Sequence, residues 1–575
     1  MKKINIYTIF ILSFLAAFPC GADAQNLDPT VVVSRDYEGK LIEVHKPKID
    51  MAVPDSVLRF DLEFDYSVSD SPYKGAYDFT PYVLDMKPSP TYRHNGRLYL
   101  NAGAGYQLHP ELDVVWSPAL KSDSFRMNVY ADHRSYIGSY WEVGAEDRDG
   151  KIVFDRVGKD VEERSWSGED LVSKAGLNGK YDWDGGALIF DAGYYGIYQS
   201  DRNDDSRSFN AVDVNMGISS KKKADSSFGY SAAIAYRYGS DGYADLSIAE
   251  NVLDIDASMD ISLGKKQGVR LDVGYDMAGY SGYFASNVSL LSVSPHYVRN
   301  SGLWRFDVGL TVSSVFRGNV MSGMFADKIQ GIYPDISVSL LAGRSLRMYV
   351  ELDGGSRMNT YSSLLASDRR AGLLYGRGKG LLDMTDERFS AVFGLEGKFG
   401  KSFSYVLNGG YADFGNAPLD AIVGNLPAIR YGAYGKAFAS LKWMLDAGCV
   451  DFDGFLEYAS YKSKADHIEG FMPAALTGNV SFRYNWKKRL YAGAVCDFSS
   501  ARDGNVMMTF QDDKAVYIPS SIPGYADLGV EAEYLINRKF SVWAKGGNLL
   551  NMTIQRSLLY AEKGPYFTLG FCLNL

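Results

Sequence analysis

The sequence predicts an all-β chain: an antiparallel transmembrane β-barrel of about 22 strands, with short periplasmic turns and long extracellular loops. Three observations carry this. Runs of 9 to 14 residues alternate apolar with polar or small side chains, the period-2 mark of a strand with one apolar and one polar face. The connections between those runs alternate in length, one short and the next long. The composition also suits strands: 575 residues include 41 Tyr, 30 Phe and 59 Gly, and aromatic side chains fit a pleated surface while Gly fits turns. Strands of a soluble sandwich run to about five or six residues, whereas crossing the hydrocarbon takes about 9–11.

The elements follow in order. Lys2 and Lys3, the apolar run Ile6 to Phe18, and Ala22-Asp23-Ala24 read as a secretory signal peptide over residues 1–24. That run is too short to span a bilayer as a helix, and no later stretch holds 18 apolar residues. Cys20 raises lipidation, for which Pro19 before it is a poor fit. Residues 25–96 form a periplasmic or luminal N-terminal segment. Pro29, Pro47, Pro54, Pro72, Pro81, Pro88 and Pro90 make most of it extended coil. Within it Leu58, Phe60, Leu62, Phe64, Tyr66 and Val68 alternate with Arg59, Asp61, Glu63 and Asp65. This predicts a strand inside or below the barrel; as a barrel strand it would break the even strand count.

The barrel is assigned to 97–575. Strands are expected at 98–107, 112–118, 124–134, 170–182, 187–198, 209–219, 227–238, 252–263, 268–278, 288–298 and 303–316. They continue at 331–341, 345–353, 388–399, 402–413, 432–445, 449–462, 475–486, 489–499, 524–535, 538–546 and 565–575. Trp304, Phe306, Val308, Leu310 and Val312, alternating with Arg305, Asp307, Gly309 and Thr311, show the pattern. Short connections such as Gly264–Gly268, Asn300–Gly302 and Lys487-Lys488 separate long ones at 135–169, 199–208, 239–250, 279–287, 317–330, 354–387, 414–431, 463–474, 500–523 and 547–564. Outer-membrane barrels are built this way, with an even strand number, turns inside the cell and loops outside. Cell outer membrane is therefore the expected location, with its lipids around the belt.

The last three elements resemble the TonB-dependent receptors. Val542-Trp543-Ala544 followed by Gly547-Asn548-Leu549-Leu550-Asn551 is similar to that family's penultimate strand and "NLFN"-type loop start. Tyr560 to Phe571 is similar to its closing "P-G-R-x-F-x-x-G" stretch. The match covers about the last 35 residues, and the chain departs from the family by ending in Leu575 rather than an aromatic. It departs again at the other end, since 72 residues between signal and first strand are too few for a plug domain. The resemblance further implies a TonB box, to which Thr30, Val31, Val32, Val33 and Ser34 are similar. The plain alternative is a short apolar patch in a flexible tail. Pairing with TonB would be strand addition, which suits β-branched residues free of Pro.

Catalytic signals are missing. His133 and Asp132 are adjacent on one strand and so point to opposite faces, which defeats a triad with Ser135. No Ser has a G-x-S-x-G context, and Gly372 to Gly380 lies in a loop, not between strand and helix. Glu146, Asp147, Asp149, Asp155, Asp160, Glu162 and Glu163 could bind a cation but read more simply as a solvated loop, and Asp254, Asp256 and Asp260 as lumen-facing groups that hydrate the interior or tune selectivity. Cys449, Cys496 and Cys572 fit no metal spacing. No enzyme activity, cofactor or metal is expected. The balance of 60 Lys+Arg against 69 Asp+Glu, net −9, opposes a nucleic-acid partner. Two functions remain: solute uptake or passage across the outer membrane, or a non-transporting barrel that docks surface lipoproteins or an envelope complex.

Overall fold

The computed structural model describes residues 97–575 apart from 121–123, 159–163, 201–204, 222–227, 244–245, 265, 284, 318–329, 344, 371–381, 401, 424–425, 467 and 510–514. The signal segment, the 25–96 segment with its Leu58–Val68 run, and Gly372–Gly380 lie outside the described residues.

In chain order the strands are β1 (Leu98–Gly105), β2 (Glu111–Trp116), β3 (Phe125–Arg148), β4 (Lys151–Arg156), β5 (Ser165–Trp183), β6 (Gly186–Ser200), β7 (Ser206–Ser220), β8 (Phe228–Tyr243) and β9 (Leu246–Ser262). Next come β10 (Gln267–Gly282), β11 (Ser286–Ser301), β12 (Trp304–Arg317), β13 (Gln330–Leu341), β14 (Leu346–Met358), β15 (Met384–Phe399), β16 (Phe403–Val423), β17 (Leu426–Asp446) and β18 (Val450–Ser463). The last are β19 (Gly470–Phe471), β20 (Leu476–Trp486), β21 (Leu490–Ser499), β22 (Arg502–Thr509), β23 (Ala515–Ile522), β24 (Tyr525–Leu535), β25 (Phe540–Gly547), β26 (Tyr560–Lys563) and β27 (Tyr566–Asn574). Twenty-two of them close into an antiparallel barrel. The other five, β4, β19, β22, β23 and β26, lie in the outer connections. Every expected strand is present, including the short β2, which pairs with β1 and β3.

β1 and β27 close the barrel, with Tyr99 opposite Asn574 and Gly105 opposite Thr568. Leu98 and Leu575 exchange backbone hydrogen bonds of 2.9 and 2.8 Å at its turn end. Gly103 and Gly570 face each other across this seam, and Trp543 of β25 lies over both. A Cβ on either glycine would come 2.3 or 2.2 Å from the indole, so only glycine fits. The indole Nε1 donates to Asn101 Oδ1 at 2.6 Å.

The two faces sort as the alternation requires. On β7, Val212, Val214, Met216 and Ile218 are exposed outward, while Asp213 and Asn215 line the interior. On β12, Val308, Leu310 and Val312 face out, and Asp307 and Ser313 are buried inward. An apolar belt outside and a polar lumen inside is the arrangement of an outer-membrane barrel. Inner-wall charges are paired: Arg270 Nη1 reaches Asp307 at 2.9 Å and Arg270 Nε reaches Asp272 at 2.7 Å. His296 Nδ1 also lies 2.9 Å from Asp307. The His296 ring packs over Gly309, where a Cβ would meet Nδ1 at 2.5 Å.

The long connections differ from expectation. Much of the sequence read as loop continues as strand beyond the membrane. β3 runs for 24 residues, far more than the roughly 9–11 a crossing needs, and the described residues of 239–250 belong to β8 and β9, with Tyr243 paired to Leu246. Residues 414–431 are likewise mostly β16 and β17, despite Pro418 and Pro427. Pro418 faces Tyr431, and Pro427 faces Ile422, in a hairpin whose 426–433 arm has no second strand partner among the described residues. Pro427 on that edge needs no donor. The Pro and Gly content therefore misled, while the alternation beneath it held.

Arg at the outward mid-strand Val214 should cost about 2–4 kcal/mol if it meets the bilayer midplane. Arg at neighbouring Asn215, which faces the cavity, should be nearly silent. Urea midpoints of the two variants in vesicles check this; equal losses would contradict the register.

Candidate functional site: a closed outer mouth

The connection after β14 folds inward. A bulge at Asp353–Gly355 offsets β14 from β15, and Gly354 permits the approach, since a Cβ there would sit 2.9 Å from the Arg388 carbonyl. Asn359 Nδ2 then donates to the Asp383 carbonyl at 2.8 Å, tying the two feet of the connection together. Thr360 caps the helix α1 (Tyr361–Ser367), its hydroxyl accepting from Ser363 N at 3.2 Å.

This lid is seated on the far strands by its side chains. The Tyr361 hydroxyl donates to Asp241 of β8, which also pairs with Arg207 Nε at 3.2 Å. Ser362 N donates to Glu250 of β9 at 3.1 Å, and Arg237 Nη1 to Ser362 Oγ at 2.9 Å. Tyr361, Leu364 and Leu365 are buried in one cluster with Phe209, Ile248 and Leu290. Each such side chain contributes about 1.5–3 kcal/mol of burial. Beyond the helix, Arg369 Nη1 lies 3.4 Å from Asp170 of β5. The Arg207 guanidinium donates to the Arg369 carbonyl at 2.9 Å, and Arg370 Nη1 donates to the Ser200 carbonyl of β6 at 3.0 Å.

A second structure is built from the other outer connections. Hydrogen bonds run from β16 through β19, β22, β23, β4 and β3 to β26. The join of β23 to β4 is parallel, with Ser520 opposite Ile152. Beneath it Val143, Phe154, Phe471, Val506, Ile522 and Leu558 form a core. Lid and cap meet where Ser557 donates to Asp368 and where Arg370 packs on Tyr560. The last connection is anchored by Arg556, 2.7 Å from Asp497. Lys563 Nζ adds a donor 2.7 Å from His109 Nε2. Burial and the nearby Lys563 hold His109 down to about 3, so the ring is neutral and accepts.

Below the lid is a cavity of about 1490 Å³, to whose wall Ser363, Leu364 and Arg369 contribute. Among the described residues its lining carries 13 carboxylates and six arginines. Asp254, Asp256 and Asp260 line it as the alternation predicts. The arrangement is that of a wide polar vestibule under a seated lid.

Other sequence candidates are not gathered into a site. Thr30–Ser34 lies outside the described residues, as do Asp160, Glu162 and Glu163. Glu146 pairs with Arg148, and Asp147 caps the turn at Gly150 N, 2.9 Å away. His133 contacts Ser173 and Ser135 at 2.8 and 3.2 Å, while Asp132 on the opposite face pairs with Arg134 at 3.2 Å. The residues that seat the lid were absent from the sequence reading, which treated 354–387 as loop. The one available signal was Tyr361, Leu364 and Leu365 at helical spacing after a Thr cap.

The Asp368 carboxyl on the lid is pushed up to about 6, chiefly by burial and then by Asp420; Ser557, the Arg370 N–H and Arg502 act the other way. A raised value favours the docked state while the group is neutral. That contribution is full below about 3.9 and is lost as pH rises through about 6. Openings of the lid, read as single-channel events, should be rarer at pH 5 than at pH 7.5, and Asp368→Asn should flatten the difference. More openings at pH 5 would contradict this reading.

No protein-family model matches the chain, and no curated protein does. Solved structures do. The FrpB iron transporter from Neisseria meningitidis (F3-3 variant) superposes with a TM-score of 0.61 at 10% identity, covering 84% of this chain and 82% of that one. The siderophore receptor PirA from Acinetobacter baumannii gives 0.57 at 10%, over 83% and 80%. P. aeruginosa FpvA bound to heterologous pyoverdines gives 0.59 at 10%, over 85% and 72%. At such identity the likeness is one of fold, and this chain has the barrel fold of the TonB-dependent outer-membrane receptors.

Proposed function

We propose that the protein admits a solute across the outer membrane, with the 359–370 lid as its outer gate and Thr30–Ser34 as the contact for TonB. The seating of the lid carries this reading. Among the described residues it is held over a wide polar lumen by side-chain hydrogen bonds, the loose Arg369–Asp170 ion pair and an apolar cluster, not by continuation of the barrel sheet. Contacts of that kind exchange without breaking the wall. An unobstructed barrel of this strand number would be a wide hole, since 16–18 strands already leave an aqueous channel. On this reading residues 25–96 contribute to occlusion from within, and catalysis has no part. The iron and siderophore cargoes named for the similar structures support uptake as a class.

In planar bilayers the full-length protein should conduct little. Tyr361→Ala combined with Leu365→Ala, or deletion of 28–92, should raise single-channel conductance several-fold and sensitise cells to large antibiotics. Heat-modifiable migration on gels checks that the variants still fold. Val32→Pro should abolish any uptake-dependent growth while leaving conductance alone, because proline disrupts strand addition. A barrel sealed in every variant, with Val32→Pro silent, would replace this reading with the docking scaffold for a lipoprotein or envelope complex.

A further inference from the structure

Arg370 closes the lid in an unusual setting. Its guanidinium carbon lies 4.8 Å from the Tyr560 ring centroid, 5.4 Å from that of Tyr140 and 5.6 Å from that of Trp166. Tyr140 and Trp166 are stacked at 4.9 Å, and Trp166 meets Tyr560 edge-on at 6.1 Å. Gly168 lets Trp166 take this pose, since a Cβ there would fall 2.3 Å from the indole. Three aromatic rings with centroids within about 6 Å of one cation surround it with aromatic carbon, an aromatic cage of the kind that selects organic cations.

The occupant is held lightly. A guanidinium carries five N–H donors. Among the described residues that of Arg370 makes one hydrogen bond, to the Ser200 carbonyl, and no ion pair. Its Nη2 is buried without a partner. The neighbouring carboxylate, Asp170, is engaged directly by Arg369 at 3.4 Å and Gln199 at 3.2 Å, and attracts Arg370 only from farther off. Tyr140 and Tyr560 are buried, while Trp166 is half-buried beside exposed Arg164 and Ser165, so among the described residues this ring lies nearest the outer medium. On the inner side the cavity wall presents Asp254, Asp256, Asp272, Asp276 and Asp335. A cation leaving the cage inward meets complementary charge.

From this we propose that the cage is the outer recognition site for a guanidinium-bearing solute, and that Arg370 occupies it as an internal stand-in until such a solute displaces it. Exchange of one guanidinium for another leaves the charge of the cage unchanged and releases the lid at Arg370. This inference rests on the uptake reading and names its substrate class. An internal occupant lowers apparent affinity by the fraction of time the cage is vacant, so removing it must strengthen binding.

The test uses full-length protein in detergent and in proteoliposomes, with the peptide Gly-Arg-Gly as probe and Gly-citrulline-Gly, its neutral isostere, as control. Binding is followed by calorimetry. Arg370→Ala should bind Gly-Arg-Gly at least about tenfold more tightly than wild type, with no gain for the citrulline peptide. Arg370→Lys, which keeps a cation, should show much less gain. Trp166→Leu placed in the Arg370→Ala background should remove it. Equal binding of the two peptides, or no gain in Arg370→Ala protein that retains heat-modifiable migration, would overturn the proposal. Arg370→Gln gives the same readout if the alanine variant fails to fold. The two readings fail separately. Lid-loosening variants that conduct while Gly-Arg-Gly does not bind would sink the cage and leave uptake standing. Selective binding without entry into proteoliposomes or conductance in any variant would keep the cage and sink uptake.

Discussion

Every backbone N–H and C=O within the hydrocarbon must find a partner in the protein, and a closed sheet is the one way strands can meet that demand. The rest of this molecule depends on the seam that closes the sheet. Gly103 and Gly570 bring β1 and β27 together under the Trp543 indole, and Leu98 and Leu575 finish the ladder. Register follows at once. With one apolar and one polar face per strand, a slip by one residue would turn Val214 inward and Asp213 into lipid. The seam therefore sets which side chains belong to the lumen.

Closing so many strands creates a second problem. The lumen is too wide for inward side chains to fill it, and its wall carries charges that water or paired partners must satisfy. The protein meets this partly through local pairs such as Arg270–Asp307 and Lys436–Glu457, the latter at 2.8 Å. It meets the rest by extending the strands outward. Once beyond the membrane, β3, β16 and β17 are free to bury apolar groups against one another, and the outer mouth acquires cores of its own. Those cores give the lid a surface to seat on.

The lid combines two kinds of hold. Tyr361, Leu364 and Leu365 supply burial that does not depend on salt or pH. Asp368, Arg369 and Arg370 supply contacts that titrate or exchange. On the proposed gating role, the first would hold the lid in place, and the second would offer a ligand or a proton a means of changing the balance. Ion pairs and cation–π contacts suit that part because their strength depends on local water and charge.

The barrel was legible in the sequence because its determinants are local. Period-2 alternation such as Trp304 to Val312 states which face meets lipid, and alternating connection lengths order the strands, so strand number and closure of 98–107 with 565–575 followed without any contact being known. The Asp254–Asp256–Asp260 ladder could be placed in the lumen on the same ground. The outer mouth could not be read this way. Pro418 and Pro427 suggested loop, yet both sit in the paired β16–β17 hairpin; 135–169 looked polar, yet Phe154 and Trp166 pack in it. The partners there are far apart in the chain: Tyr361 with Asp241, Ser557 with Asp368, Arg370 with Tyr140. By itself the sequence determined the barrel, its faces and its membrane, since each strand carries its own pattern. Only the tertiary structure decided which outer connections meet across the mouth and through which residues, because a contact between distant loops leaves no periodicity in either of them.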